Sequence, residues 1–177
     1  SGCAKRGDTE PDYSKAIACY DKALLINPKN IKALVRKAAA LVKQSRNPEA
    51  IDLYDRIIEL NPSEKKAWVG KGSAFFYLEK YTEAIESYDN AIDLDKELLQ
   101  AWIGKGFAFA KLNQYDEAID AYEAAIKLDP KNASNWSYKG KALMSMEKFD
   151  KALEAFNRSK ELGNESGENW IDIGLAL

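Results

Sequence analysis

Carboxylates and ammonium groups are abundant in this sequence, with 28 Asp and Glu against 26 Lys and Arg, but there is no histidine, the commonest general base. Neither HExxH nor GxSxG occurs, and Cys3 and Cys19 form no CxxC pair and are too few for a disulfide framework. Carboxylates alone can serve some enzymes, but Glu83, Glu86 and Asp89 read as the solvated face of a helix. Three segments invite a phosphate-cradle reading: Gly70-Lys71-Gly72, Gly104-Lys105-Gly106 and Lys139-Gly140-Lys141. A P-loop needs G-x-x-x-x-G-K-[ST] between a strand and a helix, whereas these lie inside helical patterns, where Gly72, Gly106 and Gly140 suit a close helix contact. The expectation is a protein that is not an enzyme, with no catalytic residue, no metal ligands and no cofactor.

The elements must therefore position something other than a reacting group. The chain of 177 residues is 46% hydrophobic, ordinary for a globular protein, and its net charge of -2 gives no footprint for nucleic acid. No apolar run approaches the roughly 18 residues of a membrane span. The few cysteines point to a reducing, cytoplasmic compartment. Ser1-Gly2-Cys3 resembles the end of a lipoprotein signal without its apolar stretch, which keeps a lipoprotein or periplasmic origin as the alternative. With no initiator Met, the sequence is expected to be a piece of a longer chain.

The organising signal is a period. Trp68, Trp102, Trp136 and Trp170 stand 34 residues apart. On the same grid fall Ala84, Ala118 and Ala152, then Tyr88, Tyr122 and Phe156, and going backward Leu34, Ala50, Tyr54 and Pro62, then Ala16, Tyr20, Ala23 and Pro28. Within a unit, Trp68, Gly72, Ala74 and Phe75 recur at helical steps, as do Ile85, Tyr88, Ala91, Ile92 and Leu94 after a short turn. In the turn Arg46-Asn47-Pro48, Asn47 reads as a helix N-cap and Pro48 as its first turn, with Asp116 and Asp150 in the Pro48 column favouring a helix N-terminus. Second helices are expected to stop at Asn27-Pro28, Asn61-Pro62, Asp95-Lys96, Asp129-Pro130 and Gly163-Asn164.

The pattern Trp68-x-x-Lys71-Gly72-x-x-Phe75 followed by Ala84-x-x-x-Tyr88 resembles the tetratricopeptide repeat (TPR). The resemblance implies an all-α fold, a right-handed superhelical solenoid of antiparallel helix pairs with first helices lining the concave side. It covers residues 1–177 as one array: an irregular first repeat over 1–30, repeats at 31–64, 65–98, 99–132 and 133–166, and the first helix of a further or capping repeat at 167–177. Residues 1–12, with Gly7 and Pro11 off the pattern, are expected to be irregular. Lys37, Lys71, Lys105 and Lys139 replace the usual Leu, their methylenes along the groove between helices and their ammonium groups in water.

The resemblance also implies a non-catalytic scaffold or adaptor that binds a peptide or amphipathic helix of another protein in its groove. The register places Val69, Phe76, Tyr77, Ile103, Phe107 and Tyr138 there as anchors, with Lys66, Lys111 and Lys141 favouring an acidic ligand. The Asn column that clasps extended peptides in some TPR domains reads Arg36, Gly70, Gly104, Tyr138 and Asp172, so the glycines are expected to admit a bulky group. Lys32 and Arg36 match part of a chaperone carboxylate clamp, but Gly2 stands where its Asn belongs, which leaves two solvated cations. The alternative is structural: Trp170, Ile171, Ile173, Leu175 and Leu177 form an apolar helix without a covering partner, with Trp170, Ile171 and Leu175 as a surface for end-to-end homo-oligomerisation. RNA binding is disfavoured by the acidic balance.

Overall fold

The computed structural model describes residues 12–164 and 167–176, with the side chains of 167–170 outside that description. Among the described residues all regular structure is helical. The chain divides into two compact units, Ser1–Leu94 and Asp95–Leu177, described in turn. The first contains α1 (Tyr13–Ile26), α2 (Ile31–Lys43), α3 (Asn47–Leu60), α4 (Lys65–Tyr77) and α5 (Tyr81–Leu94). The second contains α6 (Leu99–Lys111), α7 (Tyr115–Leu128), α8 (Ala133–Ser145), α9 (Phe149–Glu161) and α10 (Gly167–Ala176).

Hairpins form because each first helix ends in the same tight reversal. Ser45, Glu79, Asn113 and Glu147 all adopt a left-handed φ of 58–60°. In the first turn Arg46 N–H donates to Leu41 O at 2.9 Å and Ser45 N–H to Val42 O at 2.9 Å, the paired bonds of a Schellman motif. The motif recurs with Lys80 on Phe75, Gln114 on Phe109 and Lys148 on Leu143. At helix starts, Asp12, Asn30 and Asn132 accept the N–H groups of Lys15, Ala33 and Ser134, each at 3.1 Å. Asn47 departs from expectation. It is the first residue of α3 and not its cap, no side chain caps that helix, and the Asn47 side-chain oxygen is buried without a partner. Of the segment expected to be irregular, residues 1–11 lie outside the described residues.

In the first unit Leu34, Ala38, Leu41, Ala50, Tyr54, Ile57 and Ala67 form one core with Ile17. In the second, Ala118, Tyr122 and Ala142 form one cluster and Leu143, Ala152, Ala155, Phe156, Ile173 and Ala176 another. The close helix contact expected at glycine is present: a Cβ on Gly72 would lie 2.8 Å from the Tyr88 ring, and one on Gly106 or Gly140 2.5 Å from Tyr122 or Phe156.

Neighbouring hairpins within a unit are joined by polar staples. Lys37, Lys71 and Lys139 meet Asp21, Asp55 and Glu123, at 2.6, 2.6 and 2.7 Å, each acid lying on the preceding second helix. Two of these ammonium groups also lie over aromatic faces, Lys71 at 5.5 Å from Trp68 and 5.7 Å from Phe75, and Lys139 at 5.8 Å from Trp136. They are paired, where the sequence had suggested simple hydration. With the acids half-exposed, each pair is worth at most about 1 kcal/mol. The indole N–H groups of Trp68, Trp102 and Trp136 donate to the carbonyls of Pro62, Lys96 and Pro130 at 3.0, 2.9 and 3.3 Å, closing the turn that enters each hairpin.

Candidate functional site: the first-helix faces

In the first unit, α2 and α4 lie side by side and expose their outer faces. A cleft of about 490 Å³ lies between them, lined by Ile31, Lys32, Val35, Arg36, Glu64 and Lys66. Lys32, Arg36 and Lys66 are exposed, the first two as expected for solvated cations, and no ion pair neutralises the three among the described residues. Val69 is half-buried, and its carbonyl accepts the Ser73 hydroxyl at 3.0 Å. Tyr77 is 61% exposed at the end of α4. Phe76, expected as a groove anchor, is half-buried, with its ring 5.4 Å from Tyr81 and 6.1 Å from Tyr77.

Gly70 corrects one expectation. The space its missing side chain leaves is taken by the Tyr54 ring of the preceding hairpin, against which a Cβ would collide. It is therefore packed from inside and is not an opening for a ligand. Tyr54 is almost wholly buried, and burial pushes its phenol up to about 12 from 10.0. Burial raises Tyr88 too, opposed by its contact with the Ser73 hydroxyl at 3.2 Å, and raises Tyr122.

In the second unit the structure brings Phe107 and Tyr138 together, ring centroids 4.7 Å apart, with Tyr122 5.8 Å from each. The Phe107 and Tyr138 rings are half-buried in the cluster around Ala118 and Ala142. Ile103 is half-buried and Lys111 exposed. Lys141 lies 3.6 Å from Asp172 of α10. On α10, Ile171 and Leu175 are 64% and 66% exposed, while Ile173 and Ala176 turn into the core. The side chain of Trp170, the third residue of the expected self-association surface, lies outside the described residues, as does Leu177.

The feature that residue-by-residue reading missed is segregation of charge. Helices α2, α4, α6 and α8 carry eleven Lys and Arg and no Asp or Glu. Helices α3, α5 and α7 carry twelve Asp and Glu against two Lys and Arg. Net charge hides this, because the two populations nearly cancel; summing charge by helix would have revealed it. Among the described residues no group of His, Cys, Asp or Glu is arranged to hold a metal ion, and no helix is long and apolar enough to cross a membrane.

Antiparallel helix hairpins on a 34-residue grid, ring packed on glycine in hairpin after hairpin, define a helical-repeat protein of the interaction-scaffold class. The family model described as tetratricopeptide repeat matches residues 11–65, 35–102, 69–133 and 103–166, and the chain belongs to that family. No curated protein matches the sequence. Among solved structures, MamA superposes with a TM-score of 0.80 at 24% identity, over 89% of this chain and 92% of that one. TTC0263, a thermophilic TPR protein of Thermus thermophilus, gives 0.74 at 18% identity over 93% and 90%. YrrB, described as a TPR protein with an unusual peptide-binding site, gives 0.76 at 22% identity over 90% and 82%. At these identities the likeness shows the fold.

Proposed function

We propose that the first-helix faces capture an acidic peptide or amphipathic helix of another protein, making the chain a non-catalytic adaptor. The observation that carries this reading is the charge segregation: α2, α4, α6 and α8, which carry Lys and Arg without Asp or Glu, attract a negative ligand and repel a positive one, which sets partner choice and encounter rate. Helix α10, with Glu168 and Asp172, does not share this charge. In the first unit Lys66 supplies exposed charge, Val69 half-exposed apolar surface and Tyr77 an amphipathic ring of the kind that anchors interfaces; in the second unit Lys111 supplies the charge and Ile103 the apolar surface. Phe76, Phe107 and Tyr138 act behind that surface, since their rings pack on Tyr81, Tyr122 and each other. Replacing them with Glu would damage the core along with the surface, so charge reversal at exposed lysines is the cleaner test. Immobilised wild type and the Lys66→Glu, Lys111→Glu double variant are compared on source-cell lysate, with eluates identified by mass spectrometry. A client retained by wild type, lost by the variant and released as salt shortens the screening length below about 10 Å is expected. A client held equally by both proteins and indifferent to salt would overturn the reading.

A second reading has its own observation. Ile171 and Leu175 are both strongly exposed one turn apart on α10, an apolar pair suited to self-association. Light scattering should show mass rising with concentration, suppressed by Leu175→Lys; a strictly monomeric chain removes this reading.

A further inference from the structure

Second helices begin on an aromatic ring at every hairpin but one. Tyr13, Tyr81, Tyr115 and Phe149 open α1, α5, α7 and α9, and Asn47 opens α3. In α5 the ring closes against the first helix, Tyr81 on Phe76 at 5.4 Å. The corresponding residue of α2 is Val42, and around Val42 and Asn47 the structure holds a cleft of about 490 Å³, completed by Lys43, Ser45, Tyr77 and Leu78. Asn47 is 5% exposed, caps no helix, and has a buried side-chain oxygen with no hydrogen-bond partner. A buried acceptor left without a partner is a cost to the fold, so the Asn47 side-chain oxygen stands there as an unmade bond. On the rim stand the exposed Tyr77 and the exposed Lys43, which makes no ion pair among the described residues.

We propose that this cleft binds an extended segment of a partner polypeptide carrying an acidic side chain. A primary carboxamide offers one acceptor and an N–H donor side by side, the complement of a peptide group, and its soft terminal torsion lets the oxygen swing toward the cleft. A helical ligand would leave Asn47 as unsatisfied as before, because its backbone groups are already bonded internally; an extended one brings free N–H and C=O groups. Tyr77 gives a side chain of the segment an aromatic face, and Lys43 gives a carboxylate its counter-charge. The proposal rests on the adaptor reading and narrows it to a defined subsite and backbone conformation.

The test is selection of linear peptides from a displayed random library on the wild-type protein. The selected peptide is then measured by fluorescence anisotropy against wild type, Asn47→Tyr, Lys43→Glu and the Lys66→Glu, Lys111→Glu variant. Asn47→Tyr restores the ring of the other hairpins, so the fold is retained, which circular dichroism verifies. The expected result is an acidic consensus whose affinity falls at least about tenfold with Asn47→Tyr and with Lys43→Glu. The Asn47 side-chain amide resonances should also shift on peptide addition. Unchanged affinity for Asn47→Tyr, unmoved Asn47 resonances, or failure of wild type to select any peptide overturns the proposal. Binding lost only with Lys66 and Lys111 reversed would sink the subsite and leave the adaptor reading standing.

Discussion

A methyl group at Gly70 would fall onto the Tyr54 ring, and that collision decides between two opposing effects. Alanine in a helix gains about 1 kcal/mol over glycine, while overpacking a filled core costs about 1–3 kcal/mol. Tyr54 is enclosed in the core, so the collision outweighs the helix gain and Gly70→Ala is expected to lower stability by up to about 2 kcal/mol net, read from urea unfolding. Tyr54 and Gly70 are sixteen residues apart, as are Lys71 and its acid Asp55, Lys37 and Asp21, and Lys139 and Glu123. These partnerships were legible as spacing, yet a single column read in isolation shows only a bare glycine or an unpaired lysine. Asn47 misled in another way: Asn before Pro satisfies the local rule for a helix cap, and only the three-dimensional backbone shows that Arg46 occupies that place.

Each hairpin reverses through one residue in the left-handed region, and the four occupants are Ser45, Glu79, Asn113 and Glu147. Only Asn113 has a side chain that tolerates this conformation well. A β-carbon there costs about 1–2 kcal/mol, and glycine recovers most of it against a larger loss of chain entropy. Glu147→Gly is therefore expected to raise stability by about 0.5–1 kcal/mol, detectable as an upward shift of the denaturant midpoint at unchanged slope. The helices themselves were plain in the sequence because their periodic faces are long and their stops chemically marked. The sides of those faces were harder to assign. Phe76 and Phe107 sit where a groove anchor belongs, but Tyr81 in one case and Tyr122 with Tyr138 in the other draw the rings partly inward. Pattern gives the direction of a side chain, and neighbours on the helices that follow decide how much of it water can reach.

For the molecule as a whole, the buried tyrosine column makes stability depend on alkali. Tyr54 has its phenol pushed up to about 12 from 10.0, and Tyr88 and Tyr122 move the same way. The unfolded chain loses these protons from about pH 10 upward while the folded chain keeps them. Their contribution is therefore complete below that pH and lost as pH rises toward the folded value, at about 1.4 kcal/mol per pH unit for Tyr54 alone. Lysine deprotonation acts in the same range, so the measurement is a comparison: Tyr54→Phe should flatten the decline in urea midpoint between pH 10 and pH 12 relative to wild type. A parallel decline in both proteins would show that the phenol keeps its ordinary value.

The lysine and acid that staple adjacent hairpins also act as a splicing code. Removing residues 31–64 would delete one whole period and bring Lys71 to the register that Lys37 held opposite Asp21. The staple at the new junction would pair the same two charges that the old one paired. Such a chain can be lengthened or shortened by copying its own gene segment, with the charged staple already in place at the seam.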